Sequence, residues 1–148
     1  MAEKETGISV KLSIETEIRH DGMKEAHSGT ADGMLYKKGD STYLKYIEEI
    51  EEVGSVNNVI KMNHTGIVVI RNGSVGMRQK FLIGQTTQGM YDSPFGQLRM
   101  ETTTKAMEFR WNRQEGHGEL LLEYALVLQG EKAGNHTIKI YFKEVDET

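Results

Sequence analysis

Apolar residues fall on every second position over most of this chain. Ile8, Val10, Leu12, Ile14 and Ile18 alternate with Ser9, Lys11, Ser13, Glu15 and Glu17. Leu120, Leu122, Tyr124, Leu126 and Leu128 repeat the pattern, and Ile138, Ile140 and Phe142 carry it towards the C-terminus. A period of two sends successive side chains to opposite faces of a sheet. The pattern therefore predicts antiparallel strands with one buried and one wet face.

Turn residues divide the pattern into short-range segments. Strands are expected over Ile8–Arg19 and, after His20-Asp21-Gly22, over Lys24–Lys37, where Gly29 and Gly33 suggest bulges or bends. Thr42 to Glu52 reads as a strand. Its Ile47, Ile50 and Val53 spacing with four interspersed glutamates would also suit a short surface helix. Val59–Asn63 and Thr65–Arg71 follow. Asn72-Gly73 then predicts a two-residue hairpin pairing Ile70 with Val75 and Val68 with Met77. In that register Val68, Ile70, Val75, Met77, Gln79 and Phe81 share the core face, and Arg71, Arg78 and Lys80 face solvent. Gly84 to Gly96 reads as a polar stretch ending in the rigid turn around Pro94. Leu98–Thr104 and Met107–Trp111 read as successive strands, with two more to the C-terminus.

The sum is about ten strands with hairpin-length connections and almost no helix. Closing on itself is the surest way for such a meander to hide its edges. The expected fold is thus all-β, a single closed antiparallel barrel of about eight to ten strands. That size encloses one small ligand or fills with its own side chains. The 148 residues fit one domain, 1–148, with one core. A content of 16 Gly against 1 Pro suits long strands that keep their backbone donors.

Tyr36, Tyr43-Leu44-Lys45-Tyr46-Ile47-Glu48-Glu49, Arg71-Asn72-Gly73 with Phe81, Tyr91-Asp92-Ser93-Pro94-Phe95-Gly96 and Tyr124, in this order, resemble the bacterial YwiB-like family. The resemblance spans essentially the whole chain. It implies a calycin (lipocalin-like) β-barrel and a small cytoplasmic bacterial protein, and it brings no ligand or reaction with it.

Composition removes several function classes. A net charge of −4 without clustered Lys and Arg argues against nucleic acid. The absence of Cys excludes disulfides, thiolate catalysis and Cys-type metal sites. No apolar run is long enough for a membrane span, and the polar Met1–Thr6 start shows no export signal, so a cytoplasmic protein without membrane partners is expected. The five His are scattered; His20, His117 and His136 fall at expected turns, and no metal or other cofactor is predicted. No nucleophile elbow is present, and the Gly84–Gly89 stretch has Met90 where a phosphate loop needs lysine.

Polar residues on core faces are the remaining candidates for chemistry. Leu44, Tyr46, Glu48 and Ile50 share a strand face, which turns Glu48 inward. A buried carboxylate needs a partner. It serves either as a structural acceptor for Tyr hydroxyls or as a ligand-binding group. Gln79 and Tyr124 lie on apolar faces, and Tyr91 is placed near the barrel mouth. Tyr46, Glu48, Gln79, Tyr91 and Tyr124 are therefore the candidate ligand-binding residues. The leading expectation is a non-enzymatic barrel that binds a small, mostly apolar molecule. The alternative is a filled barrel acting as an interaction or homodimerising module, monomer or homodimer, with Met107, Phe109 and Trp111 as an outward face. An enzyme using Glu48 as general base is a third reading, without a nameable nucleophile or oxyanion donor.

Overall fold

In a computed structural model, residues 7–145 are described. The Met1–Thr6 stretch, on which the expectation about export rests, lies outside them. Ten strands follow one another: β1 (Gly7–His20), β2 (Met23–Lys38), β3 (Ser41–Ile50), β4 (Gly54–Asn63), β5 (Gly66–Gly73), β6 (Gly76–Phe81), β7 (Thr86–Ser93), β8 (Gly96–Asn112), β9 (His117–Leu128) and β10 (Glu131–Glu144). Each pairs antiparallel with its neighbours in sequence, and β1 pairs with β10 to close the barrel. Among the described residues no helix is long and apolar enough to cross a membrane.

The ambiguous third segment is a strand, and its alternation is kept: Thr42, Leu44 and Tyr46 are buried while Lys45 and Ile47 are exposed. Besides shifted ends, such as β4 beginning at Gly54 instead of Val59, two segmentations differ from the expected ones. Thr86–Ser93 is a strand despite its polar, glycine-containing sequence, because β6 and β8 offer it ladder partners on both sides. Leu98–Thr104 and Met107–Trp111 are one strand, β8, interrupted by a bulge between Thr104 and Ala106. One extra residue there moves the inward positions from even to odd numbers. Met100, Thr102 and Thr104 point inward before the bulge, and Met107, Phe109 and Trp111 pack on the core after it.

The hairpin at Asn72-Gly73 is the largest departure. Ile67 pairs with Phe81, Val69 with Gln79 and Arg71 with Met77, and the turn is Ser74-Val75. β5 runs on through Gly73 because β4 holds it: Gly73 pairs with Val56, and the Ser74 amide donates to the Ser55 carbonyl at 3.2 Å. Gly73 has φ +122° and its backbone packs directly against that carbonyl, a place with no room for a Cβ. The slip relative to the expected register is odd, so β5 turns over. Val68 and Ile70 leave the core face, and Ile67, Val69 and Arg71 take it.

The ends of the barrel are unlike. At the end carrying the β2–β3, β4–β5, β6–β7 and β8–β9 turns, Val10, Leu12, Leu35, Leu44, Ile60, Met62, Ile67, Leu120, Leu122, Ile140 and Phe142 are buried in one cluster. Phe109 and Trp111 stack on Phe142 at ring separations of 5.9 and 5.5 Å. At the other end β2 and β3 pair only from Gly33–Tyr46 to Lys38–Ser41. Met23–Asp32 pairs with β1 alone and Ile47–Ile50 with β4 alone. The wall is open between them.

Candidate functional site

The open end holds a cavity of about 350 Å³. Its wall comes from the late residues of β1, β3, β5, β7 and β9 and the early residues of β4, β6, β8 and β10, the positions nearest one set of turns. Tyr46, Glu48, Gln79, Tyr91 and Tyr124 all line it. Between them lie apolar side chains: Ile14, Val69, Met77, Met100, Leu126 and Ile138.

Alternation explains the placement of Tyr46 and Glu48, which follow Leu44 along the inward face of β3. Tyr46 is 9% exposed. Its phenol is pushed far up by burial, with the Glu48 carboxylate adding to the shift and the Arg71 cation opposing it. Tyr124 is pushed up to about 12, mostly by burial, while a Gln79 hydrogen bond and the Arg71 charge act the other way. Both phenols are neutral near pH 7. The Phe81 ring meets the Tyr124 ring edge-on at 4.9 Å. Gln79, buried on β6, donates from Nε2 to Thr102 Oγ1 at 2.9 Å. Tyr91 is half-buried and faces Met77 and Leu98 across its two neighbouring strands.

Three further lining residues carry nitrogen groups into the wall. Arg71, expected in solvent, lines the cavity because of the β5 slip. Its Nε donates to Asn58 Oδ1 at 3.2 Å, and its Nη2 lies 3.5 Å from Glu48 Oε1. Asn58 is 2% exposed, and its own Nδ2 donates to the Val56 carbonyl at 3.3 Å. His136, expected at an exposed turn, stacks on Tyr124 at 5.2 Å, and its Nε2 donates to the Ala133 carbonyl at 3.1 Å. Burial holds its pKa below the usual histidine value, against the pull of that carbonyl. The signal for Asn58 and His136 was the same alternation: Val56-x-Asn58-x-Ile60-x-Met62 and His136-x-Ile138-x-Ile140-x-Phe142. Nothing local marked Arg71.

The cavity thus carries one ion pair, two amides, three phenols, the Thr16 hydroxyl and an imidazole on an apolar lining. No group of three His, Cys, Asp or Glu that could hold a metal occurs among the described residues. Met107, Phe109 and Trp111 point inward at the opposite end, so they do not form the outward face considered for assembly.

The profile of a family described as "Domain of unknown function (DUF1934)" matches residues 12–140. The chain is 29% identical over 134 residues to a protein of Bacillus subtilis (strain 168) described as "Uncharacterized beta-barrel protein YwiB", covering 90% of this chain and 92% of that one. The crystal structure of the ywiB protein from Bacillus subtilis superposes with a TM-score of 0.86 at 26% identity, over 96% of both chains.

Proposed function

The chain belongs to the DUF1934 family of β-barrel proteins, and from that premise we propose that its barrel is a non-enzymatic container for a small, mostly apolar molecule. The observation that carries this reading is the contrast inside one barrel. A filled half sits beside a cavity of about 350 Å³ whose apolar lining is broken by a few placed polar groups. That composition suits a small-molecule site, and the volume lies at the low end of the roughly 300–1,000 Å³ found for such pockets. The unpaired stretch between β2 and the end of β3 gives a way in beside Glu48. A structural barrel would gain from filling this space, since empty apolar volume forfeits packing.

A neutral fluorescent probe, N-phenylnaphthylamine, tests the reading together with native mass spectrometry of freshly purified protein. Probe fluorescence should rise on binding, and Val69→Phe, which grows into the cavity, should abolish the rise while leaving the fold intact. No binding by the parent protein and no retained mass would overturn it.

A further inference from the structure

Arg71 is an odd component for a container of apolar molecules. Among the described residues lining the cavity it is the one permanently cationic side chain. Placing a guanidinium among apolar groups is costly unless it is paired. Its orientation is set by a neutral residue: the buried Asn58 takes Nε and is itself anchored to the Val56 carbonyl. Glu48 is a loose partner. Its 3.5 Å approach to Nη2 exceeds the roughly 2.7–2.9 Å of a charge-assisted hydrogen bond, and it is the more exposed of the two side chains, 35% against 21%. The Nη edge, the fork that matches a carboxylate bidentately, is therefore held in place but weakly engaged.

We infer that Arg71 is the head-group site of this cavity, and that the occupant is a small aliphatic or aromatic monocarboxylate. Its carboxylate pairs with the Arg71 fork, and its apolar body lies on Val69, Met77, Met100, Leu126 and Ile138. Glu48 holds the guanidinium when the cavity is empty and yields it to the incoming carboxylate. The other polar lining groups fit this: Tyr46, Tyr124 and His136 are neutral near pH 7, so none repels an anion there. The inference rests on the container reading, and the experiment separates the two.

Octanoate and octan-ol are titrated against bound N-phenylnaphthylamine at neutral pH. Octanoate should displace the probe about tenfold more effectively than the alcohol, the size of effect expected for one charge-assisted pair. Arg71→Met should erase that preference while leaving displacement by the alcohol unchanged. Glu48→Gln should strengthen octanoate severalfold by removing the competing carboxylate, an effect a merely structural Glu48 would not produce. Should Arg71→Met fail to fold, Arg71→Lys, which keeps the charge and loses the fork, should weaken octanoate alone. Probe binding with equal displacement by acid and alcohol in every folded variant overturns the carboxylate inference by itself. Absence of probe binding overturns the container reading and this inference with it.

Discussion

The two ends of this barrel are built from the same ten strands and solve opposite problems. At one end Leu12, Leu44, Leu120, Leu122, Ile140 and Phe142 meet with essentially no exposed surface, and the β2–β3 seam is hydrogen-bonded shut. At the other, the seam parts, and the inward face of β2 carries Gly29 opposite Ile14. Polar side chains take places where Leu or Ile would close the core. Closure of this fold therefore needs only half its interior. The cavity half is supported by the filled half and is free to carry groups that would weaken a core. Gly33 marks the border. A Cβ there would meet Leu12 Cδ1 at 2.7 Å and the Lys45 carbonyl at 2.6 Å, so only glycine lets β2 approach β3.

Large-to-small substitutions should separate the two ends most. Phe142→Ala should cost about 3–5 kcal/mol, because two stacked rings lose their partner and the filled end cannot collapse. Leu128→Ala, at the half-buried rim of the cavity, should cost about 1 kcal/mol, since water or a ligand already borders it. Urea midpoints measure both, and equal losses would dissolve the distinction between the ends.

Alkali should strike the cavity end. Burial raises the Tyr124 phenol from an ordinary value near 10 to about 12 and raises Tyr46 in the same direction. Above pH 10 the unfolded chain releases these protons while the folded one retains them. Stability is therefore full below about pH 10 and falls as pH climbs towards 12, by about 3 kcal/mol for Tyr124. Denaturant midpoints across that range should flatten in Tyr124→Phe, and an unchanged slope would argue that the phenol is solvated.

Glu48 sharpens the picture at smaller scale. Glu48→Gln should stay within about 0.5 kcal/mol of the parent, because an amide oxygen still faces the partly exposed guanidinium. Glu48→Leu should cost about 1 kcal/mol, because the Arg71 Nη edge then loses the carboxylate facing it within a half-buried wall. Two equal midpoints would remove Glu48 from the wall's polar system.

One effect has the opposite sign. Thr104 Oγ1 is buried without a hydrogen-bond partner among the described residues, just before the β8 bulge. Thr104→Val should stabilise by about 1 kcal/mol in thermal unfolding, since it removes an unsatisfied hydroxyl at nearly constant volume. A loss of stability would indicate a partner such as a bound water.

Much of the barrel and of its wall is legible in the sequence, for one physical reason: side-chain direction in a strand depends only on parity. Alternation within β1, β3, β9 and β10 places Leu12, Tyr46, Glu48, Tyr124 and Phe142 on the inner face before any partner is known. The same parity reaches Asn58 and His136 once β4 runs from Gly54 and β10 from Glu131. Parity fails where the reading frame changes. The extra residue after Thr104 joins two apparent strands into β8 and turns Met107, Phe109 and Trp111 inward. β7 has almost no signal of its own, and its strand exists because β6 and β8 supply hydrogen bonds to it.

Arg71 shows most clearly what sequence alone could not decide. Asn72-Gly73 is a strong local turn signal, yet β4 extends alongside β5 and pairs Val56 with Gly73, which moves the turn to Ser74-Val75. The local preference of a two-residue turn competes here with ladder hydrogen bonds and burial along a whole strand, and the longer interaction wins. The chain by itself determined an all-β barrel, the inner faces of most of its strands and five residues of one cavity wall. Only the tertiary structure, by choosing the register of a single hairpin, turned an arginine from the solvent into that wall.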